Sequence, residues 1–209
     1  MYVMTYDSLL VDLRRYLERG FTAESDQIVY EQLPRLITLA ERRIASELKI
    51  EGFIVPVTTV LQSGVSTYMK PDRWRDTVSM NLEGKPIFAR SFEYIRNYWP
   101  DPTQTGEPAY YADYDYQYWL IAPTPSQAKV LEILYYQQPP LLGPESQTNY
   151  LTEYAPYLLL YGALLEATPF LKNDERIGTW QAMYDRAAQG VNSEDLKRIL
   201  DRAANRSEA

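Results

Sequence analysis

The stretch that most constrains this chain is NYLTEYAPYLLLYGALLEATPFLKNDERIGTWQAMYDRAA, residues 149–188. Its first half is apolar on nearly every side. Tyr157, Leu158, Leu159, Leu160, Tyr161, Ala163, Leu164, Leu165 and Ala167 follow with almost no polar relief. A helix of that kind is either buried or crosses a membrane. Spanning takes about 20 apolar residues. Glu153 and Glu166 bracket a shorter run, so the sequence predicts a buried core helix. Thr152 is placed to cap it, and Pro156 falls in its first turn, where a missing N–H costs little. Pro169 bends or ends it. Asn173 or Asp174 is placed to cap a second helix, and Asp174 and Glu175 suit the positive end of its dipole. There Ile177, Trp180, Tyr184, Ala187, Ala188 and Val191 recur at three- and four-residue spacing as one apolar stripe.

The N-terminal part repeats the helical pattern. Thr5 opens a helix with Leu9, Leu10, Leu13, Tyr16 and Leu17 on one face, and Gly20 ends it. Glu24 and Ser25 open a longer helix reaching about Leu48. Its stripe is Ile28, Val29, Leu33, Leu36, Ile37, Leu39, Ala40, Ile44 and Leu48. Pro34 lies inside it and predicts a kink, or a break near Leu33. Glu41, Arg42, Arg43, Glu47 and Lys49 read as a solvated face with i,i+4 pairing. The amphipathic, acid-bearing N-terminus is not a secretory signal, and no transmembrane segment is expected.

Near Gly52 the pattern changes. Residues 53–60 are β-branched and contain Pro56, which predicts an edge strand. Short extended segments follow at 66–69, 73–82 and 86–89, with a tight hairpin turn at Glu83-Gly84-Lys85. Ser91 caps a short helix, Phe92 to Tyr98, with Phe92, Ile95 and Trp99 facing inward. In the Tyr-rich block EPAYYADYDYQYWLIAPTP, two strands meet near Tyr114-Asp115. VLEILYYQQ makes the last strand. The expectation is an α+β fold. A helical base is built from residues 1–52 and 141–209, and an antiparallel β-rich insertion from 53–140.

Composition narrows the chemistry. The chain has no Cys and no His. That removes disulfides, thiolate chemistry, most zinc sites and every His general base. The phosphate-loop, dinucleotide, zinc-protease and serine-hydrolase signatures are absent. No catalytic residue, metal or cofactor is assigned. A net charge of −7 argues against a nucleic-acid binder held by a basic face. It suits either ordinary solubility or a surface that DNA slides past. Asp113 and Asp115, beside aromatic rings, resemble a glycosidase carboxylate pair, but a polar face flanking a turn accounts for them better.

Two features point to partners. The Tyr-rich strands, with Tyr110, Tyr114, Tyr116 and Tyr118, serve as aromatic core, sugar platform or protein interface. The tail 193–203 continues a helical pattern with Leu196, Ile199, Leu200 and Ala203 in one stripe and Lys197, Arg198, Arg202 and Arg206 beside it. Such a helix folds back on its own core or enters a partner's groove.

The helix pair opening at TNYLTEYAPYLLLYGALLEATPF, together with TGEPAYYADYDYQYWLIAPTP and EILYYQQPPLL, resembles phage head-to-tail adaptor proteins. The likeness runs from the second helix to about Asn205. It implies a homo-oligomeric ring, a dodecamer in the usual case, docked under the portal protein of a tailed phage and above a tail tube or nozzle protein. DNA would pass through the lumen without specific binding. The protein would be made in the host cytoplasm and reside in the virion at the head–tail junction, with no membrane contact. On this resemblance, Leu196, Lys197, Arg198, Ile199, Leu200 and Arg202 become portal-interface residues. Tyr110, Tyr114, Tyr116 and Tyr118 become subunit or tail interface residues. The competing expectation is a carbohydrate-binding or glycan-degrading tail component using the Tyr-rich strands with Asp113 or Asp115. A receptor-binding module without catalysis is the third.

Overall fold

The computed structural model describes residues 3–170 and 175–207; of residues 194–207 it describes the backbone alone. Helices and strands are both present, and the fold is α+β. The helices are α1 (Tyr6–Leu17), α2 (Gln27–Glu47), α3 (Phe92–Tyr98), α4 (Tyr150–Tyr154), α5 (Pro156–Glu166) and α6 (Arg176–Ser207). The strands are β1 (Ile54–Leu61), β2 (Thr67–Met69), β3 (Trp74–Leu82), β4 (Lys85–Ala89), β5 (Thr105–Gly106), β6 (Tyr110–Asp113), β7 (Tyr118–Ala122), β8 (Thr124–Pro125) and β9 (Lys129–Gln137). The chain divides into two compact units, one of Met1–Phe53 with Pro139–Ala209 and one of Ile54–Gln138.

In the helical unit, α5 is the central element and touches α1, α2 and α6. Leu158, Leu159, Leu160, Ala163, Leu164 and Leu165 are all buried, as a helix apolar on most sides requires. Burying a leucine side chain contributes about 1.5–3 kcal/mol, so this helix supplies much of the unit's stability. Gly162 lets it approach α2: a Cβ there would lie 3.5 Å from both Ala40 and Ile44. Gly52 is under a harder constraint, since any Cβ would collide with the Tyr150 ring.

Several local expectations are corrected. The cap of the 150s segment is Asn149, not Thr152. The Asn149 side chain accepts from Leu151 and Thr152 N–H, while Thr152 Oγ1 accepts from Asn149 N–H at 2.8 Å, a reciprocal capping box. The segment also divides into α4 and α5 at Ala155, with Pro156 opening α5. Asp26, not Glu24 or Ser25, caps α2. This helix passes through Pro34 without interruption. Ile28 and Leu39 lie off its buried face, and so does Tyr16 in α1. The caps expected at Asn173 or Asp174 lie outside the described residues.

In the β unit, seven strands run in the order β1-β9-β3-β4-β6-β7-β2. Every pairing in this sheet is antiparallel except β4 with β6, which is parallel and corrects the purely antiparallel expectation. A parallel pair needs a long crossover, and α3 lies within it. β4 divides its length between partners: Lys85–Ile87 pair with β3, and Phe88–Ala89 with β6. The halves on either side of β4 enclose one core. Leu61, Met80, Leu131 and Ile133 from one half pack with Tyr111, Trp119 and Ile121 from the other.

Pro56 shows how the edge is built. Val130 C=O accepts from Glu83 and Gln138 N–H donates to Arg73, so the even residues of β9 face β3. The odd residues therefore bond to Val55, Val57, Thr59 and Leu61 of β1. Pro56 belongs to the set whose backbone points away from the sheet, where a missing N–H costs no ladder bond. The hairpin after β3 turns at Glu83 and Gly84, both with positive φ, as a tight hairpin needs.

Candidate functional site

The Tyr-rich block folds as the hairpin β6–β7 with its turn at 114–117. Alternation along it does not separate core from solvent, because both faces are covered. Tyr111, Trp119 and Ile121 enter the main sheet core, and Ala112, Leu120 and Ala122 meet Ile95 of α3 on the opposite side. Tyr110 belongs to that second cluster. Its ring centroid lies 5.4 Å from Trp99 and 5.9 Å from Tyr94. Tyr114, Tyr116 and Tyr118 are exposed, with Tyr116 at 80% the most open. Of the four tyrosines expected at an interface, three are available to a partner, and Tyr110 is chiefly a packing residue.

The two acids of the block have structural duties. Asp113 Oδ1 pairs with Lys70 Nζ at 2.7 Å, and the lysine side chain is only 3% exposed. The same ammonium donates to the Asp115 carbonyl at 2.9 Å and lies 3.6 Å from the Trp74 ring centre. A buried ammonium needs this saturation, because an unpaired charge there would be expelled or neutralised. Asp115 Oδ1 accepts from Gln117 and Tyr118 N–H, both at 2.7 Å, which closes the turn. Behind it, Thr77 Oγ1 accepts from the indoles of Trp74 and Trp119 at 3.2 and 3.1 Å. The turn is thus a preorganised display of exposed aromatic rings. Met69, Lys70, Arg73, Trp74, Tyr116 and Gln117 line a shallow cavity of about 210 Å³ beside it.

The second candidate surface is α6, a single 32-residue helix about 48 Å long at 1.5 Å per residue. Trp180 and Tyr184 are buried and anchor its N-terminal half. A polar node fixes this end. Tyr184 donates its hydroxyl to Glu47 Oε2 at 2.6 Å, and Arg43 bonds Glu47 at 2.8 Å and Glu166 at 3.4 Å. The Arg43 guanidinium also lies 5.0 Å from the Tyr184 ring centre. Burial works against the Glu47 charge, but the Tyr184 and Arg43 hydrogen bonds prevail and hold its carboxyl below the ordinary range. Burial, and then the bond to Glu47, push the Tyr184 phenol up. The expected Arg43–Glu47 pair is present. Leu196, Lys197, Arg198, Ile199, Leu200 and Arg202 fall on the α6 backbone, and their side chains lie outside the described residues.

Glu41 is the residue that periodicity misplaces. It is fully buried and not on a solvated face. Its carboxylate accepts from Leu142 N–H at 3.1 and 3.2 Å and from Asn149 Nδ2 at 2.6 Å. Asn149 Nδ2 also donates to the Pro140 carbonyl at 3.0 Å. One acid therefore ties the 140s connection and the α4 cap to α2. Burial pushes the Glu41 carboxyl up to about 7, against the opposing pull of the Leu142 and Asn149 bonds. Its position four after Ile37 and three before Ile44 was the available signal.

Among the described residues, no cluster of three or more acids could hold a metal ion, and no helix is long and apolar enough to cross a membrane. The family model described as SU10 adaptor protein matches residues 4–207. The chain belongs to the SU10 adaptor family. Membership agrees with the resemblance to phage head-to-tail adaptors and gives this adaptor a structural role in the virion. No curated protein sequence matches it. Membership in this family implies interaction with other head and tail components of the phage.

Proposed function

We propose that this adaptor forms a homo-oligomeric ring, twelve-membered in keeping with the resemblance, that docks beneath the portal protein and joins the capsid to the tail. The observation that supports this reading best is α6. Trp180, Tyr184 and the Arg43–Glu47 node hold its first half, while the same helix runs on through residues 191–207. An anchored helix that carries on past its anchor is a lever for insertion into a partner's groove. In this reading Leu196, Ile199 and Leu200 enter the portal, and Lys197, Arg198 and Arg202 pair with its acids. The helices around α5 act as the base, with residues 53–140 as an inserted domain. Tyr114, Tyr116 and Tyr118 face a neighbouring subunit or the tail tube or nozzle protein. The net charge of −7 keeps the lumen from gripping DNA in transit. Electron microscopy of the protein mixed with purified portal rings tests the proposal. The expected result is added ring density on one end of the portal, and unchanged portal rings count against it.

A further inference from the structure

On the outer side of the α5–α6 seam lies an open apolar groove that the portal contact does not use. Tyr157, Tyr161, Met183, Arg186 and Ala187 line it, and its volume is about 380 Å³. Tyr157 is 67% exposed and Met183 is also exposed, so the groove presents apolar surface that its own fold leaves uncovered. Aromatic rings and methionine are the side chains that interface cores favour. Arg186 is the one cation in the lining. No ion pair to Arg186 is present among the described residues.

The 114–117 turn has the complementary character. Tyr116 projects as an exposed ring, and Tyr114 is exposed beside it. Asp115 engages its Oδ1 in the turn, and no hydrogen bond to its second oxygen is present among the described residues. The turn is already rigid, so docking it costs little ordering entropy. A ring needs two different surfaces on each subunit, because a head-to-tail interface joins unlike patches. We infer that the Tyr114–Gln117 turn of one copy seats in the α5–α6 groove of the next. Tyr116 fills the space between Tyr157 and Met183, and Asp115 faces Arg186. The aromatic burial supplies the attraction, and the charge pair at the rim sets register. This inference rests on the ring reading and names the surfaces that would close the ring.

The chain has no cysteine, which permits a clean cross-linking test. The full-length Gln117→Cys/Ala187→Cys variant leaves Tyr116, Asp115, Met183 and Arg186 in place. It is assembled on portal rings, imaged, treated with a short bis-maleimide and run on a denaturing gel. The expected result is a ladder of multiples of the 24.3 kDa chain extending beyond dimers. Each single-cysteine variant carries one thiol and can give dimers at most. Rings in the images with no ladder beyond dimers would overturn the docking and leave the ring intact. A cross-link from residue 117 or 187 to the portal would likewise assign that surface to another partner and overturn it. If the wild-type chain builds no ring on the portal, the ring reading itself fails, and the docking with it. If only the double variant builds none, Tyr116→Ala is read instead. Loss of ring density in a chain with unchanged helical content supports the docking, and full density overturns it.

Discussion

Glu41 gives the fold a pH dependence that can be worked from its surroundings. The carboxyl is fully buried, and its pKa rises from an ordinary 4.5 to about 7 in the folded chain. Between those two values the folded state binds more protons at this site than the unfolded state, so stability falls as pH rises. The contribution is complete below pH 4.5 and is lost as pH passes through 7. At about 1.4 kcal/mol for each tenfold change in proton affinity, the span is worth about 3 kcal/mol. Glu41→Gln removes this titration while keeping the shape of the neutral acid. Other carboxylates, Glu47 among them, titrate alike in both proteins and cancel in the difference. Denaturation is followed from pH 4.5 to 8 through the helical circular dichroism signal, because the two units can unfold separately. The expected difference, wild type minus variant, drifts toward the variant by about 3 kcal/mol across this range. A difference that stays flat, or that drifts toward the wild type, would refute the argument.

Three further outcomes follow from the packing. Leu160→Asp places a carboxylate in the buried centre of α5 and is expected to abolish folding, seen as loss of cooperative unfolding; a soluble, cooperatively melting variant would contradict this. Tyr184→Phe removes a hydrogen bond to a charged group and should cost about 1.5–3 kcal/mol in denaturant titrations. It should also raise the Glu47 pKa, measured by NMR titration, since its first opposing influence is burial. Truncation after Gly190 keeps Trp180 and Tyr184, so it should remove only the helical signal of residues 191–207 and leave melting nearly unchanged while portal binding is lost; an unfolded truncation product would make the tail helix part of the core.

What the sequence makes legible depends on the range of the forces involved. The buried character of α5 was legible because nine apolar residues in one short run leave few alternatives. The strand edges and the Glu83-Gly84 hairpin were legible because proline and glycine act locally. The cap at Asn149 was not, since Asn149 and Thr152 belong to the same box and either fits the local pattern. Glu41 was misplaced because its partners, Leu142 and Asn149, are about a hundred positions away. A charged residue beside charged neighbours looks solvated until such donors appear. The parallel β4–β6 pair was hidden for a similar reason: it depends on where α3 returns the chain. In the aromatic block the two strands meeting near Tyr114-Asp115 were legible, but a buried face could not be told from a solvated one, because α3 covers the face that water would otherwise take. Lys70, which supports the exposed turn, carried no local signal at all, because its role comes from Asp113, Asp115 and Trp74 converging on one ammonium.

The role proposed for this SU10 adaptor is to build a ring on the portal. The most direct measurement is electron microscopy of portal rings incubated with an excess of the full-length chain, followed by symmetry analysis of any added density. The expected result is a second ring stacked on the portal, with a helix from each copy entering it. Portal rings that remain bare, with the chain still monomeric by light scattering in the same mixture, would contradict it.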